Sequence, residues 1–180
     1  MSNLAFIDGQ NLNYGTKVNN WKIDLVRFRV YLKEKYKVSE AYYHLGYVSE
    51  EQQDLYSSIQ RSGYILVFKE HSSALKGKKK GNVDTDVVFL MMKELIERPD
   101  EFSKIILVSG DGDYKKIVDY LISKERFLKM LFPNTKARSS LYNKIGGEMM
   151  DFLDRVDIRK NIEYRKEKAP KAQAPFGSVS

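Results

Sequence analysis

Apolar residues along this chain fall into two rhythms that take turns. Short, nearly unbroken apolar runs occur at Asn3 to Asp8, Val38 to Val48, Gly63 to Phe68, Lys104 to Val108 and Phe127 to Phe132. Runs of that length predict strands, and the near-continuous fourth is the kind covered on both faces in a parallel sheet. Between them lie stretches whose apolar positions recur at the spacing of one helical face. These are Asp24 to Lys35 with Leu25, Phe28 and Leu32, Gln52 to Gln60, Asp84 to Ile96 with Val87, Met91 and Leu95, and Tyr114 to Leu121. Pro99 marks the exit from the third, and a last helix, split near Gly146 and Gly147, is predicted between Arg138 and Val156.

Strands alternating with helices across short turns predict an α/β fold, a three-layer α/β/α sandwich around a predominantly parallel sheet of about five strands. The pattern does not fix the strand order. One domain is predicted over residues 1–158, because 180 residues suffice for a single substantial core. From Arg159 the chain turns charged and then rich in Ala, Pro, Gly and Ser, which predicts a flexible basic tail over residues 159–180.

Composition narrows the chemistry. Thirty-one Lys and Arg against 24 Asp and Glu give a formal charge of +7, an excess that favours a polyanionic partner. The absence of cysteine excludes disulfides, thiolate metal sites and cysteine nucleophiles. No apolar run reaches membrane-spanning length, so a cytoplasmic protein with no membrane partner is expected, and a homo-oligomer stays open. No Walker A sequence is present, and His44 and His71 are too few and too far apart to form a metal pair. His44, inside a strand, reads as structural, and His71, beside a basic loop, has substrate contact only as its minor reading.

Three short acidic segments change the picture most. They are Asp8 in Phe6-Ile7-Asp8-Gly9-Gln10-Asn11, the pair Asp84 and Asp86 after Gly81-Asn82-Val83, and the pair Asp111 and Asp113 in Ser109-Gly110-Asp111-Gly112-Asp113. The first and third follow strand-like runs and the second opens a helix, so a parallel sheet would bring all three to one edge. Carboxylates gathered there need a cation or hydrogen bonds to offset their repulsion, and hard oxygen ligands suit Mg²⁺ or Mn²⁺. Each also has an ordinary explanation as a turn residue or helix cap, strongest for Asp86. The segment carrying Lys76, Lys78, Lys79 and Lys80 fits phosphate contact, or a solvated loop. Tyr14, in the loop expected after the first strand, is the better aromatic candidate for stacking on an unpaired base; Trp21 more simply anchors the first helix.

Together these residues resemble the NYN domains, a branch of the PIN-like metal-dependent ribonucleases that includes bacterial LabA-like proteins. The resemblance runs from about Leu4 to Leu153 and is carried by Phe6-Ile7-Asp8-Gly9-Gln10-Asn11-Leu12, Gly81-Asn82-Val83-Asp84 and Val108-Ser109-Gly110-Asp111-Gly112-Asp113. It implies that Asp8, Asp84, Asp111 and Asp113 form the acidic centre, with Asn11 orienting Asp8 or touching a phosphate; Ser109, next to the Asp111 and Asp113 pair, reads on its own as a supporting hydroxyl and not a nucleophile. Relatives often carry a further acidic residue deeper in the helix that Asp84 opens; this chain has Leu90 and Met91 there, which leaves the role of Asp86 and the number of metals open. The implied activity is metal-dependent endoribonucleolytic cleavage of exposed or single-stranded RNA. A nucleic-acid-binding regulatory module without catalysis is the alternative, and a phosphatase for small substrates a third.

Overall fold

The computed structural model describes residues 1–46, 48–69 and 83–165. Six strands, β1 (Asn3–Asp8), β2 (Val38–Leu45), β3 (Ile65–Phe68), β4 (Ile105–Val108), β5 (Phe127–Phe132) and β6 (Met150–Phe152), form one sheet in the order β3-β2-β1-β4-β5-β6. All five strand pairings are parallel. The chain builds outward from β1 in one direction, returns past it, and builds outward from β4 in the other. The switch point of this doubly wound sheet therefore lies between β1 and β4, where such sheets bind ligands at the carboxyl ends of their strands.

Alternation along the central strands fills both faces of the sheet. Ala5, Ile7, Ile106 and Val108 point into a core closed by α1 (Gly9–Val18), α2 (Leu25–Tyr36), α3 (Gln53–Arg61) and α6 (Val156–Ile162), through Leu12, Phe28, Leu32, Ile59, Ile158 and Ile162. Leu4, Phe6, Ile105 and Leu107 point into the opposite core, closed by Val87 and Met91 of α4 (Asp84–Glu97) and Ile117, Val118 and Leu121 of α5 (Lys115–Ser123). The expected sandwich of three layers and its parallel sheet are thus present. No described helix is long and apolar enough to cross a membrane.

Three expectations change. The stretch after β1 is helix α1: Asp8 caps it by accepting from the Asn11 backbone N–H at 2.9 Å. Its glycines serve close packing, since a Cβ on Gly9 would lie 2.7 Å from the His44 carbonyl and one on Gly15 would lie 2.6 Å from Pro133. Polar Asn11, Asn13 and the glycines hide a helix whose buried side is only Gly9, Leu12, Gly15 and Thr16 at the surface of the sheet. Tyr14 accordingly stands on a helix, not in a loop.

The helix expected between Arg138 and Val156 does not form. Single 3-10 turns at Thr135–Ala137, Ser140–Lys144 and Gly147–Met149 lead instead into β6, the sixth strand. Asn134 and Ser139 cap the first two turns with their side chains, and Gly146-Gly147 interrupts any continuous helical face. Pairing of Met150, Asp151 and Phe152 with β5 gives the backbone bonds that a helix would otherwise supply.

The boundary expected at residue 158 is crossed by α6. Ile162 is fully buried, its carbonyl accepts from the Asp24 N–H at 2.8 Å, and the Tyr164 N–H donates to the Lys22 carbonyl at 2.8 Å. An antiparallel bridge joins Ile23 to Glu163. Packed structure therefore reaches at least Tyr164, and residues 166–180 lie outside the described residues.

Candidate metal centre

Asp8, the last residue of β1, is held at the floor of the switch point. Its Oδ1 accepts from the Asn11 N–H at 2.9 Å and its Oδ2 from the Tyr114 hydroxyl at 3.1 Å, with only 4 % of the residue exposed. Burial raises its pKa above the ordinary value, the two donors oppose that rise, and the negative charges of Asp84 and Asp111 add to it. Tyr114 is raised far above the usual phenol range, first by burial and then by the charges of Asp8 and Asp84, so it remains a proton donor.

Around this floor Asp84, Asp111 and Asp113 come together. Each offers a carboxylate oxygen, and the three oxygens lie within 4.8 Å of one another. Asp84 opens α4 and is buried, Asp111 is half-buried, and Asp113 is exposed, so the group grades from the core to solvent. The Asp111 carboxylate also accepts from the Asp113 N–H at 3.0 Å, and the Asp111 N–H donates to Ser109 Oγ at 3.1 Å. These bonds curl the chain after β4 so that two carboxylates two residues apart face one point. Three hard oxygen donors at this spacing fit a divalent cation of the Mg²⁺ or Mn²⁺ type, whose charge would offset the repulsion that Asp84 and Asp111 add to the effect of burial on Asp8.

Asp86 lies in the first turn of α4 but is not a member of the group of three. Its Oδ2 is buried without a hydrogen-bond partner among the described residues. Leu90 and Met91, which stand where the resemblance implied another acid, are packed into the core on the α4 side. Asn11 links the two central strand ends: its N–H serves Asp8 and its Oδ1 accepts from the Gly110 N–H at 2.8 Å. Ser109 is fully buried, which suits its supporting hydrogen bond and not attack on a substrate. Lys76, Lys78, Lys79, Lys80 and His71 lie outside the described residues. His44 is buried against Phe6, with ring centroids 6.2 Å apart, in keeping with a structural role.

Residues that the sequence reading passed over complete the surroundings. Tyr114 follows the Asp111–Asp113 turn by one position and was readable only as the start of a helix. The segment after β5 lies across that turn as a strap: the Ser139 N–H donates to the Gly110 carbonyl at 3.0 Å and the Tyr142 hydroxyl to the Asp111 carbonyl at 2.5 Å. Gly112 fits beneath it because a Cβ there would lie 2.6 Å from Ser139 Oγ. An expected helix beginning at Arg138 had obscured this contact.

The comparisons agree with this geometry. A protein of unknown function from Vibrio parahaemolyticus has the same fold, with a TM-score of 0.70 at 18 % identity, covering 91 % of this chain and 96 % of that one. The low amplitude and bright protein LabA of Synechococcus elongatus is 24 % identical over 179 residues, spanning 94 % of this chain and 92 % of its own length. The family model of the NYN domain matches residues 4–145, which include all three acidic segments and the strap as far as Ile145. This chain belongs to the NYN domain family.

Proposed function

We propose that the chain is a divalent-metal-dependent endoribonuclease acting on exposed or single-stranded RNA. The observation that carries this reading is the convergence of the Asp84, Asp111 and Asp113 oxygens within 4.8 Å at the switch point of the sheet. Mg²⁺ or Mn²⁺ bound there would supply a low-pKa water and stabilise charge developing on a phosphate. Asp84 and Asp111 would hold the ion, with Asp113 completing or supporting the shell from the solvent side. Asp8 keeps a second lone pair on each oxygen after serving Asn11 and Tyr114, enough to take part through the ion or a water. Asn11 and the Gly110 turn fix the carboxylates against the strand ends, so little reorganisation accompanies substrate entry. Lys76, Lys78, Lys79 and Lys80 would neutralise phosphates near a negative pocket, and the basic residues after Arg159 would aid capture of RNA.

The core residues Leu90 and Met91, in place of a further acid on α4, favour a second reading, an RNA-binding module with little or no cleavage. Purified protein incubated with end-labelled single-stranded RNA in Mn²⁺, Mg²⁺ or EDTA separates the two. The nuclease yields internal cuts in metal alone, with 3′-hydroxyl and 5′-phosphate ends, abolished by Asp111→Asn in a protein that still folds and binds RNA. RNA binding without metal-dependent cuts would leave the binding module, and release of free phosphate in large excess over internal cuts would indicate a phosphatase.

A further inference from the structure

Beside the acidic centre, a cleft of about 90 Å³ opens between α1 and the strap. Asn11, Tyr14 and Gly15 line it from α1, Pro133, Asn134 and Ala137 from the strap side, and Gly110 from the turn that leads to Asp111. Because Asn11 and Gly110 also position the carboxylates, the cleft and the centre share two residues. We infer that this cleft is a base-binding subsite, holding the nucleobase of a nucleotide next to the phosphate at the carboxylates, with Tyr14 stacked on the ring. The inference rests on the nuclease reading for its substrate class.

The walls have the chemistry that a base requires. Gly15 and Pro133 are buried and touch, since a Cβ on Gly15 would meet Pro133 at 2.6 Å, so they close the bottom of the cleft and a ring would lie above them against Tyr14. The volume equals that of about three waters, room for the edge of one ring while ribose and phosphate stay outside. Tyr14 at the rim has 67 % of its surface exposed, leaving ring area free for stacking, which is tolerant of base identity. Asn11 spends Oδ1 on the Gly110 N–H, so its Nδ2 is the donor that remains for a base carbonyl.

The cleft is also rigid and flanked by positive charge. Asn134 Nδ2 donates to the Gly15 carbonyl at 3.3 Å and its Oδ1 accepts from the Lys136 N–H at 2.8 Å, which ties the two walls together. Lys17 lies one helical turn beyond Tyr14 on α1, and the strap carries Lys136, Arg138 and Lys144 with no acidic residue from Asn134 to Lys144. Asp154, which contacts the strap, is engaged by Thr135 and Asn19. Lys17 and Lys136 are exposed and close in sequence to the cleft residues Tyr14 and Asn134, which makes them the candidate cations for a phosphate attached to a bound base.

The test is binding, which does not require cleavage. The full chain in EDTA is titrated with a short single-stranded oligouridylate, and separately with uridine 5′-monophosphate and inorganic phosphate, while amide chemical shifts are followed. Shifts at Tyr14, Gly15 and Gly110 with the nucleotide, absent with phosphate alone, support the subsite. Tyr14→Ala and Ala137→Leu, the second filling the cleft from the strap, should each weaken oligouridylate binding roughly tenfold, while Tyr14→Phe should restore it. Binding within twofold of wild type for both disruptive variants would overturn the inference, even if the protein cuts RNA. Tyr14-dependent binding by a protein that cuts nothing would uphold the subsite and remove the nuclease reading.

Discussion

The Tyr114 hydroxyl donates to Asp8 Oδ2 at 3.1 Å, joining the residue after the Asp111–Asp113 turn to the end of β1 inside the core. It partly offsets the cost of burying that carboxylate, whose pKa is nonetheless raised by burial. Tyr114→Phe removes the donor and leaves the acceptor, at a cost of about 1–3 kcal/mol. The sign follows from linkage: loss of the donor raises the folded pKa of Asp8 further, so the deficit is fullest at alkaline pH and shrinks as pH falls through that pKa. Urea denaturation of both proteins across pH checks it, and a deficit that grows toward acid would contradict the assignment.

Removal of the cluster's charge should act on metal binding before it acts on folding. A divalent ion at a hundred times its dissociation constant stabilises by about 2.7 kcal/mol. In a chain of this size that raises Tm by roughly 5–10 °C. Asp84→Asn and Asp111→Asn should lose most of that Mn²⁺-induced rise while their metal-free Tm stays near wild type. Asp8→Asn should lower the cleavage rate by at least about tenfold under saturating Mn²⁺ with its secondary structure intact. Equal rates would take Asp8 out of the chemistry.

His44 makes stability pH-dependent on the acid side. Burial pushes its pKa down to about 4 from 6.5, and neither ring nitrogen has a hydrogen-bond partner among the described residues. The folded state therefore resists a proton that the unfolded chain accepts. The neutral imidazole's full stability is present above pH 6.5 and declines as pH falls toward 4, by on the order of 3 kcal/mol. His44→Phe should flatten that part of the Tm profile, as thermal melts between pH 4 and 7 would show.

Truncation after Ile158 should destabilise the fold, contrary to what the composition of the tail suggests. It removes fully buried Ile162 and the backbone bonds that Ile162 and Tyr164 make to the Asp24 and Lys22 segment. Loss of one buried Ile side chain and its neighbouring bonds corresponds to about 2–4 kcal/mol. The midpoint of chemical denaturation measures it.

Replacing Lys78, Lys79 and Lys80 together with Ala should weaken RNA binding most at low salt. Three lost phosphate contacts reduce the slope of log affinity against log salt by roughly two for a single strand. An unchanged slope would show that these lysines do not touch phosphate.

The strands and most helices were legible because burial on both faces leaves unmistakable apolar runs, such as Ile105 to Val108, and amphipathic stripes, such as Val87 and Met91. The acidic segments were legible because each stands where a strand ends or a helix begins. Helix α1 was not, since its stability comes from Asp8 as a cap and from glycines fitted against neighbours, neither of which is periodic. The strap was misread for a related reason: Tyr142 and Ile145 have helical spacing, yet they bury through successive tight turns anchored on Gly110 and Asp111. Tyr114's bond to Asp8 spans 106 positions and has no local signal at all.

The strand order has a consequence for synthesis. Within this domain the first strand to be synthesised is a central one, flanked by β2 early and by β4 about a hundred residues later. A nascent chain ending before Asp111 can pair β1 to β4 but carries Asp8 and Asp84 without Asp111 and Asp113, and one ending before Tyr142 lacks the strap over Asp111. The acidic centre thus comes into being only when most of the domain has been made, so an incomplete chain holds the separate carboxylates but no assembled cluster.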